Sequence, residues 1–267
     1  MAHLLDGCWA KLERAKESIQ GIDQEATAFF SSDPPPFRVV REHRDRDYVF
    51  LAYGEPEVPL RFSVLAGEIV HHLRSSFDHL IHALVIKSGN APTRRHQFPI
   101  CSTENNFQDA CKKETLKHIS PSAIKLIAAV QPYTQPAPQN TVLSVINEYD
   151  NCDKHRLLVV VTTVVKIGQE IRVGIDDRVD GSEDRRGKNP VITNLGDPSP
   201  KKISKQGTEV FSIRLEEPFP EFYADVNIAP QLTFEKCGNI QLMPVTPMLS
   251  ALLAGTRSTI KSFLSEF

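Results

Sequence analysis

The chain has 267 residues, with 31 Lys and Arg against 33 Asp and Glu, which gives a formal net charge of -2 at pH 7. Its hydrophobic fraction of 40% provides for a sizeable core and excludes a wholly disordered chain. The balanced charge excludes a polybasic protein that coats nucleic acids or membranes by bulk charge, but it leaves room for a locally basic groove.

The first half of the chain has mostly helical patterns. Apolar residues spaced three and four apart predict a helix over residues 4–30, which the prolines at 34–36 would end. Two β-prone runs predict a hairpin near 37–53. Residues 60–88 give the strongest helical pattern, and we expect its apolar stripe to be buried in a central helix: Leu65, Ile69, Leu73, Phe77, Leu80 and Leu84. Shorter helices are predicted over residues 104–114, 121–130 and 141–156.

The second half is rich in β-prone residues. Strands are predicted over 157–165, 170–175, 209–215 and 224–235, with polar loops at 176–189 and 196–207. An amphipathic helix over residues 247–267 closes the chain. Helices segregated from strands predict an α+β fold. We expect a helical bundle over 1–156, carrying the 37–53 hairpin, and an antiparallel β-rich half over 157–267 whose C-terminal helix packs back; the alternative is one continuous domain.

The cysteines lack the close spacing of a zinc site or of a disulfide-rich scaffold, so the sequence predicts five free thiols in a reducing compartment: Cys8, Cys101, Cys111, Cys152 and Cys237. The N-terminus does not resemble a signal peptide, and no apolar stretch has the length of a membrane helix. We therefore expect a cytoplasmic protein without membrane association. Phosphate-binding loops and dinucleotide motifs are missing, so no cofactor is predicted.

Four histidines lie on the polar side of the predicted 60–88 helix, which we call the histidine face: His71, His72, His79 and His82. Solvated helix faces usually carry Lys, Glu, Gln and Arg, which form helices more readily than His. The histidine face therefore favours proton transfer near neutral pH or metal binding over a plain solvated surface.

A second polar group ends the predicted 141–156 helix, at Asp153, Lys154 and His155. Cations at the last helical turn are favoured by the helix dipole alone, which is the structural explanation for Lys154 and His155. Asp153, however, falls on the apolar side of that helix. Because a buried carboxylate needs a cationic partner, we expect an ion pair between Asp153 and Arg74.

Arg74 and His79 are separated by four residues within a helix, and this Arg-x4-His spacing resembles the motif of the HEPN ribonucleases. These helical proteins occur in bacterial toxins, phage defence and CRISPR effectors. The resemblance implies metal-independent cleavage of RNA by two copies of the motif that dimerisation brings together. Here Ser75 follows the arginine, where the family usually has Asn, Asp or His. The order of the two polar segments, residues 72–80 followed later by residues 153–156, also resembles that in a group of bacterial proteins.

This chemistry assigns a role to each polar residue. His79 would move the proton of the 2′-hydroxyl or of the leaving oxygen, and Arg74 would hold the phosphate through its planar donor fork. Asp153, Lys154 and His155 would complete the site if the two helices are adjacent. Arg74 and His79 point about 140° apart around one helix, so we expect a homodimer in which each chain supplies one of them.

Two alternatives use the same residues. The histidine face would cap an interface in a non-catalytic interaction or sensor protein. It would bind a metal in a helical-bundle metalloprotein, with Glu68, His71, His72 and His79 as ligands, because Glu68-x-x-His71 has the spacing of bundle di-iron sites.

Overall fold

The computed structural model describes residues 4–54, 56–175, 189–219, 222–237 and 242–267, with the backbone alone for 166–170 and 175. Within these ranges the chain forms six α-helices and two antiparallel sheets, so the predicted α+β class is confirmed. It divides into two compact units. The helical unit comprises Met1–Gln24, Pro59–Val160 and Phe234–Phe267, and the sheet unit comprises Glu25–Val58 and Val161–Thr233.

The six helices lie close to their predicted positions: α1 (Asp6–Phe30), α2 (Leu60–Lys87), α3 (Glu104–Lys112), α4 (Pro121–Ala129), α5 (Val142–His155) and α6 (Val245–Lys261). Three of them begin at a residue whose hydroxyl accepts a hydrogen bond from the backbone N–H three positions on: Thr103, Ser120 and Thr141. Such caps satisfy N–H groups that have no partner in the first helical turn. Local sequence therefore fixes where α3, α4 and α5 start.

The long helix α2 is the centre of the helical unit. Five members of its predicted stripe are buried and Leu65 is half-buried, which confirms the expected orientation. The helix contacts both α5 and α6. Its buried surface is wider than one stripe, because Val70, Ile81 and Val85 are buried too.

The sheet unit is built from two sets of strands. In the first sheet the order is β1–β2–β6–β4, from β1 (Phe37–Arg44), β2 (Asp47–Gly54), β4 (Ile192–Leu195) and β6 (Thr208–Leu215). In the second, β3 (Val160–Ile175) lies between β5 (Lys201–Lys202) and β7 (Phe222–Phe234). A two-residue strand, β8 (Met243–Pro244), precedes α6.

Several predicted strand boundaries change. The two runs 157–165 and 170–175 form the single strand β3, and residues 157–159 stay outside it. Three strands were not predicted: β4, β5 and the two-residue β8. Strand β4 is exposed along its whole length and so lacks the alternation of a half-buried strand, and β5 has only two residues, inside the predicted loop 196–207. The other predicted loop, 176–189, falls outside the described residues except for Asn189.

The division into units differs from the expected border after residue 156. The hairpin β1–β2 belongs to the sheet unit because β2 pairs with β6, from Asp47 opposite Arg214 to Ala52 opposite Thr208. Helix α6 belongs to the helical unit, where it packs on α2 and α5. The hairpin is placed by backbone hydrogen bonds between strands more than 150 residues apart in sequence. Helix α6 is placed by the burial of its apolar face.

The prediction of five free thiols is wrong for two of them. Cys152 of α5 and Cys237, which follows β7, form a disulfide with a sequence separation of 85 residues. Cys8, Cys101 and Cys111 are free. Spacing along the chain could not reveal the bond, because the fold brings the two cysteines together. The cysteines of this protein therefore do not indicate a reducing compartment.

The described helices include none with both the length and the apolar character that crossing a bilayer requires.

Candidate functional site

Arg74, the arginine of the Arg-x4-His spacing, is held inside the helical unit. Its guanidinium donates a 2.7 Å hydrogen bond to Asp78 one turn along α2 and a 3.0 Å bond to the carbonyl of Phe98. Asp78 in turn accepts a 2.8 Å bond from the backbone N–H of Phe98. The ring of Phe98 is buried against Phe77. The Arg74–Asp78 pair therefore clamps the loop at Phe98 onto α2.

This clamp corrects the expected Arg74–Asp153 ion pair, which does not form. Asp78 satisfies the guanidinium from within α2, at the i, i+4 spacing that lets oppositely charged side chains meet on a helix. Asp153 packs elsewhere, against Gly67 two turns before Arg74. Among the described residues, neither Arg74 nor His79 pairs with Asp153, Lys154 or His155, so the composite site that we expected from these five residues is not assembled.

The histidine face splits between three surroundings. His72 and His79 lie towards α1, His71 lies towards α5, and His82 bonds the carbonyl oxygen of His96 at 3.1 Å. Within the described chain, no three His, Cys, Asp or Glu side chains are grouped so that they could hold a metal ion. The set Glu68, His71, His72 and His79 is therefore not gathered into a ligand cluster.

His79 rests against the start of α1. A side chain at Gly7 would come within 2.6 Å of its Nδ1 atom, so the bare backbone of Gly7 makes room for the ring. The His79 residue is exposed overall, but this edge is shielded from water. Desolvation, followed by the positive charge of Lys11, lowers the pKa of His79 below its usual 6.5.

His72 lies about two turns before His79 on α2, and it also lies towards α1. Its Nδ1 atom is buried and has no hydrogen-bond partner in the described part of the protein. Desolvation lowers the pKa of His72, and Lys11 of α1 adds to the effect. The structure thus places two imidazoles that are neutral at pH 7 in the field of one lysine ammonium.

A buried carboxylate that sequence reasoning missed connects α2 with α5. The side chain of Asp150 is 4% exposed and lies 2.5 Å from Lys154 Nζ and 3.7 Å from His71 Nδ1. Its burial explains why it is paired, since an isolated charge there would cost several kcal/mol. Two signals were present: Asp150 lies seven residues after the buried Leu143, and Lys154 follows it at i+4.

The side chain of Asp153 fits against α2 at Gly67, which has no side chain of its own. Its carboxylate packs over Gly67, where any β-carbon would overlap it, and it accepts a hydrogen bond from the backbone N–H of Leu158. Desolvation raises the pKa of Asp153, and the Leu158 bond offsets only part of this effect. The nearby negative charge of Asp150 raises it further.

We expect Asp153→Asn to stabilise the protein at pH 7 and to have no such effect below pH 3.8, the ordinary pKa of the carboxyl. The folded state raises this pKa, so it favours the protonated form and loses stability as pH rises through the folded value. An asparagine keeps the acceptor for Leu158 without the charge. Urea unfolding of both proteins at pH 7 and about pH 3.5 measures the difference, with the exposed Asp109→Asn as control. A stabilisation that persists unchanged in acid would contradict this.

Unfolding of the helical unit has its own optical probe. Trp9 is the single tryptophan of the chain, and it lies in α1. Its fluorescence therefore reports on the helical unit.

The arrangement defines a mixed α+β protein with a surface of neutral imidazoles and a lysine on its helical unit. Comparisons with protein-family models, with curated proteins and with solved structures find no match to this chain.

Proposed function

We propose that the protein is a metal-independent ribonuclease that acts on RNA through the surface shared by α1 and α2. The observation that carries the proposal is that the His79 ring packs against Gly7 at the start of α1, where desolvation and the charge of Lys11 lower its pKa. Cleavage of RNA without a metal needs both a base that is unprotonated at neutral pH and a cation beside the phosphate.

In the proposed reaction His79 takes the proton of the ribose 2′-hydroxyl while its oxygen attacks the adjacent phosphorus. The bond from phosphorus to the 5′-oxygen breaks, and that oxygen leaves with a proton from an acid. Because His72, the second imidazole that feels the charge of Lys11, is neutral as well, our candidate for the acid is the ammonium group of Lys11. The products are a 2′,3′-cyclic phosphate and a 5′-hydroxyl.

Lys11 takes the place that the HEPN resemblance gave to Arg74. The guanidinium of Arg74 is bonded to Asp78 and to the Phe98 carbonyl, and its side chain is only 14% exposed. Lys11 lies on α1 and is half-buried, and its charge acts on both histidines. A role in toxin or phage-defence systems belongs to the same proposal.

We expect the purified protein to cleave RNA in EDTA, and His79→Gln to lower the rate roughly 10²- to 10⁴-fold, the usual contribution of general acid–base catalysis. Lys11→Gln should also slow cleavage. His43→Gln, at an exposed histidine of the sheet unit, is the matched control and should leave the rate unchanged. Gel assays with labelled RNA and with its 2′-deoxy counterpart measure the effect.

The dependence of the cleavage rate on pH tests whether His79 acts as the base. The rate should rise with pH through a value below 6.5, because the base must lose its proton and His79 does so early. Cleavage of the 2′-deoxy substrate, or a rate that His79→Gln leaves intact, would refute the mechanism. Absence of any turnover in EDTA would favour the non-catalytic interaction protein.

Homodimerisation is a separate part of the proposal. The clamp on Arg74 removes the reason for sharing this arginine across a two-fold axis, but a dimer could still bring two histidine faces to one RNA. Light scattering at micromolar protein concentration tests it, and a monomer that cleaves RNA would show that one chain suffices.

A further inference from the structure

A cleft of about 570 Å³ runs along α5. One wall is the polar face of α5, which includes the carboxylate of Glu148, and the opposite wall includes Ile100, Ser102 and Pro132. The volume is in the range of cavities that hold a small organic ligand. All of its lining residues belong to the helical unit.

The α5 wall carries polar side chains one helical turn apart, at Ser144, Asn147, Asn151 and His155. At 1.5 Å per residue this row extends over about 16 Å. In the described part of the chain, Asn147, Asn151 and His155 make no side-chain hydrogen bond. Two amides on one helix face therefore offer donors and acceptors to a bound molecule.

A cationic side chain, that of Arg156, lies just beyond the C-terminal end of this row. Arg156 lines the cleft, and its Nη2 atom lies 3.9 Å from Cys152 Sγ. That weak contact leaves most of the guanidinium N–H donors for a ligand. The disulfide to Cys237 fixes the last turn of α5 that carries this end of the cleft.

We propose that this cleft binds an adenine nucleotide. The base would lie against Ile100 and Pro132, and the amides of Asn147 and Asn151 would read its edge, since an asparagine amide matches the adjacent N6 donor and N7 acceptor of adenine. The phosphate would meet Arg156, whose planar fork matches its oxygens. The nucleotide is either free or a unit of an RNA strand.

The site is distinct from the surface of Lys11 and His79, and the proposal stands whether or not the protein cleaves RNA. Calorimetric titration of the intact, oxidised protein with AMP, adenosine, CMP, inorganic phosphate and oligoadenylate tests it. We expect AMP to bind about tenfold more tightly than either adenosine or CMP, about 1.4 kcal/mol in each comparison. Tighter binding of oligoadenylate than of AMP would identify RNA as the source.

Two sets of variants test the base-binding end and the phosphate-binding end of the site independently. Asn147→Ala with Asn151→Ala should abolish the preference for AMP over CMP, and Arg156→Ala should abolish the preference for AMP over adenosine. Matched controls at exposed positions outside the cleft, Asn106→Ala and Lys125→Ala, should change neither.

His79→Gln should bind AMP as the unmodified protein does, so loss of cleavage and loss of binding remain separate results. Trp9 fluorescence checks that each variant is folded. The proposal is overturned if neither AMP nor oligoadenylate binds saturably, if phosphate alone binds as tightly as AMP, or if the cleft variants keep both preferences.

Discussion

Replacing Cys152 and Cys237 by serine is expected to lower the free energy of unfolding by about 4 to 5 kcal/mol. The disulfide links residues 85 positions apart, and closing a loop of that length removes much of the entropy of the unfolded chain. The bond joins α5 to the segment after β7, so its loss frees the end of the helix that carries Lys154 and Arg156.

Urea unfolding followed by Trp9 fluorescence measures this change. The unmodified protein in reductant should unfold like the double serine variant, and reductant should leave that variant unaffected. Cys111→Ser, at a half-buried free thiol, is the control and should keep its sensitivity to reductant. Thiol titration of the denatured, unreduced protein should find three of the five cysteines free. Five reactive thiols would contradict the bond.

Leu73→Ala is expected to cost roughly 2–5 kcal/mol of stability, the range for removing a large aliphatic side chain from a core. Leu73 has no exposed surface and lies in the middle of α2, the helix that contacts both α5 and α6. The lost methyl groups would leave a cavity that three packed helices cannot easily close.

The same helix supplies the matched control. Val64 is 42% exposed on α2, so Val64→Ala should change the unfolding free energy by less than about 0.5 kcal/mol, as surface substitutions usually do. Both variants are compared by urea unfolding with Trp9 as the probe. Equal midpoints for Leu73→Ala and the unmodified protein would show that α2 is peripheral.

The roles of Arg74 and His79 show the limit of a spacing motif. Both residues lie on α2 as predicted, but the fold uses Arg74 as a clamp on Phe98 and brings Lys11 towards His79. Lys11 is more than 60 residues away along the chain, and no local pattern connects it with a histidine of α2. A contact of this kind depends on how α1 packs on α2.

The sequence by itself determined the helices and most strands of this protein. Helix α2 is set by apolar residues at helical spacing, and α3, α4 and α5 begin at hydroxyl caps, because such preferences act within one or two turns of backbone. Only the tertiary structure decided that Asp150 is buried beside His71, that Cys152 bonds Cys237, and that the 37–53 hairpin joins the sheet unit. These are contacts between residues distant in sequence, and their energy depends on burial and distance, which exist only once the chain has folded.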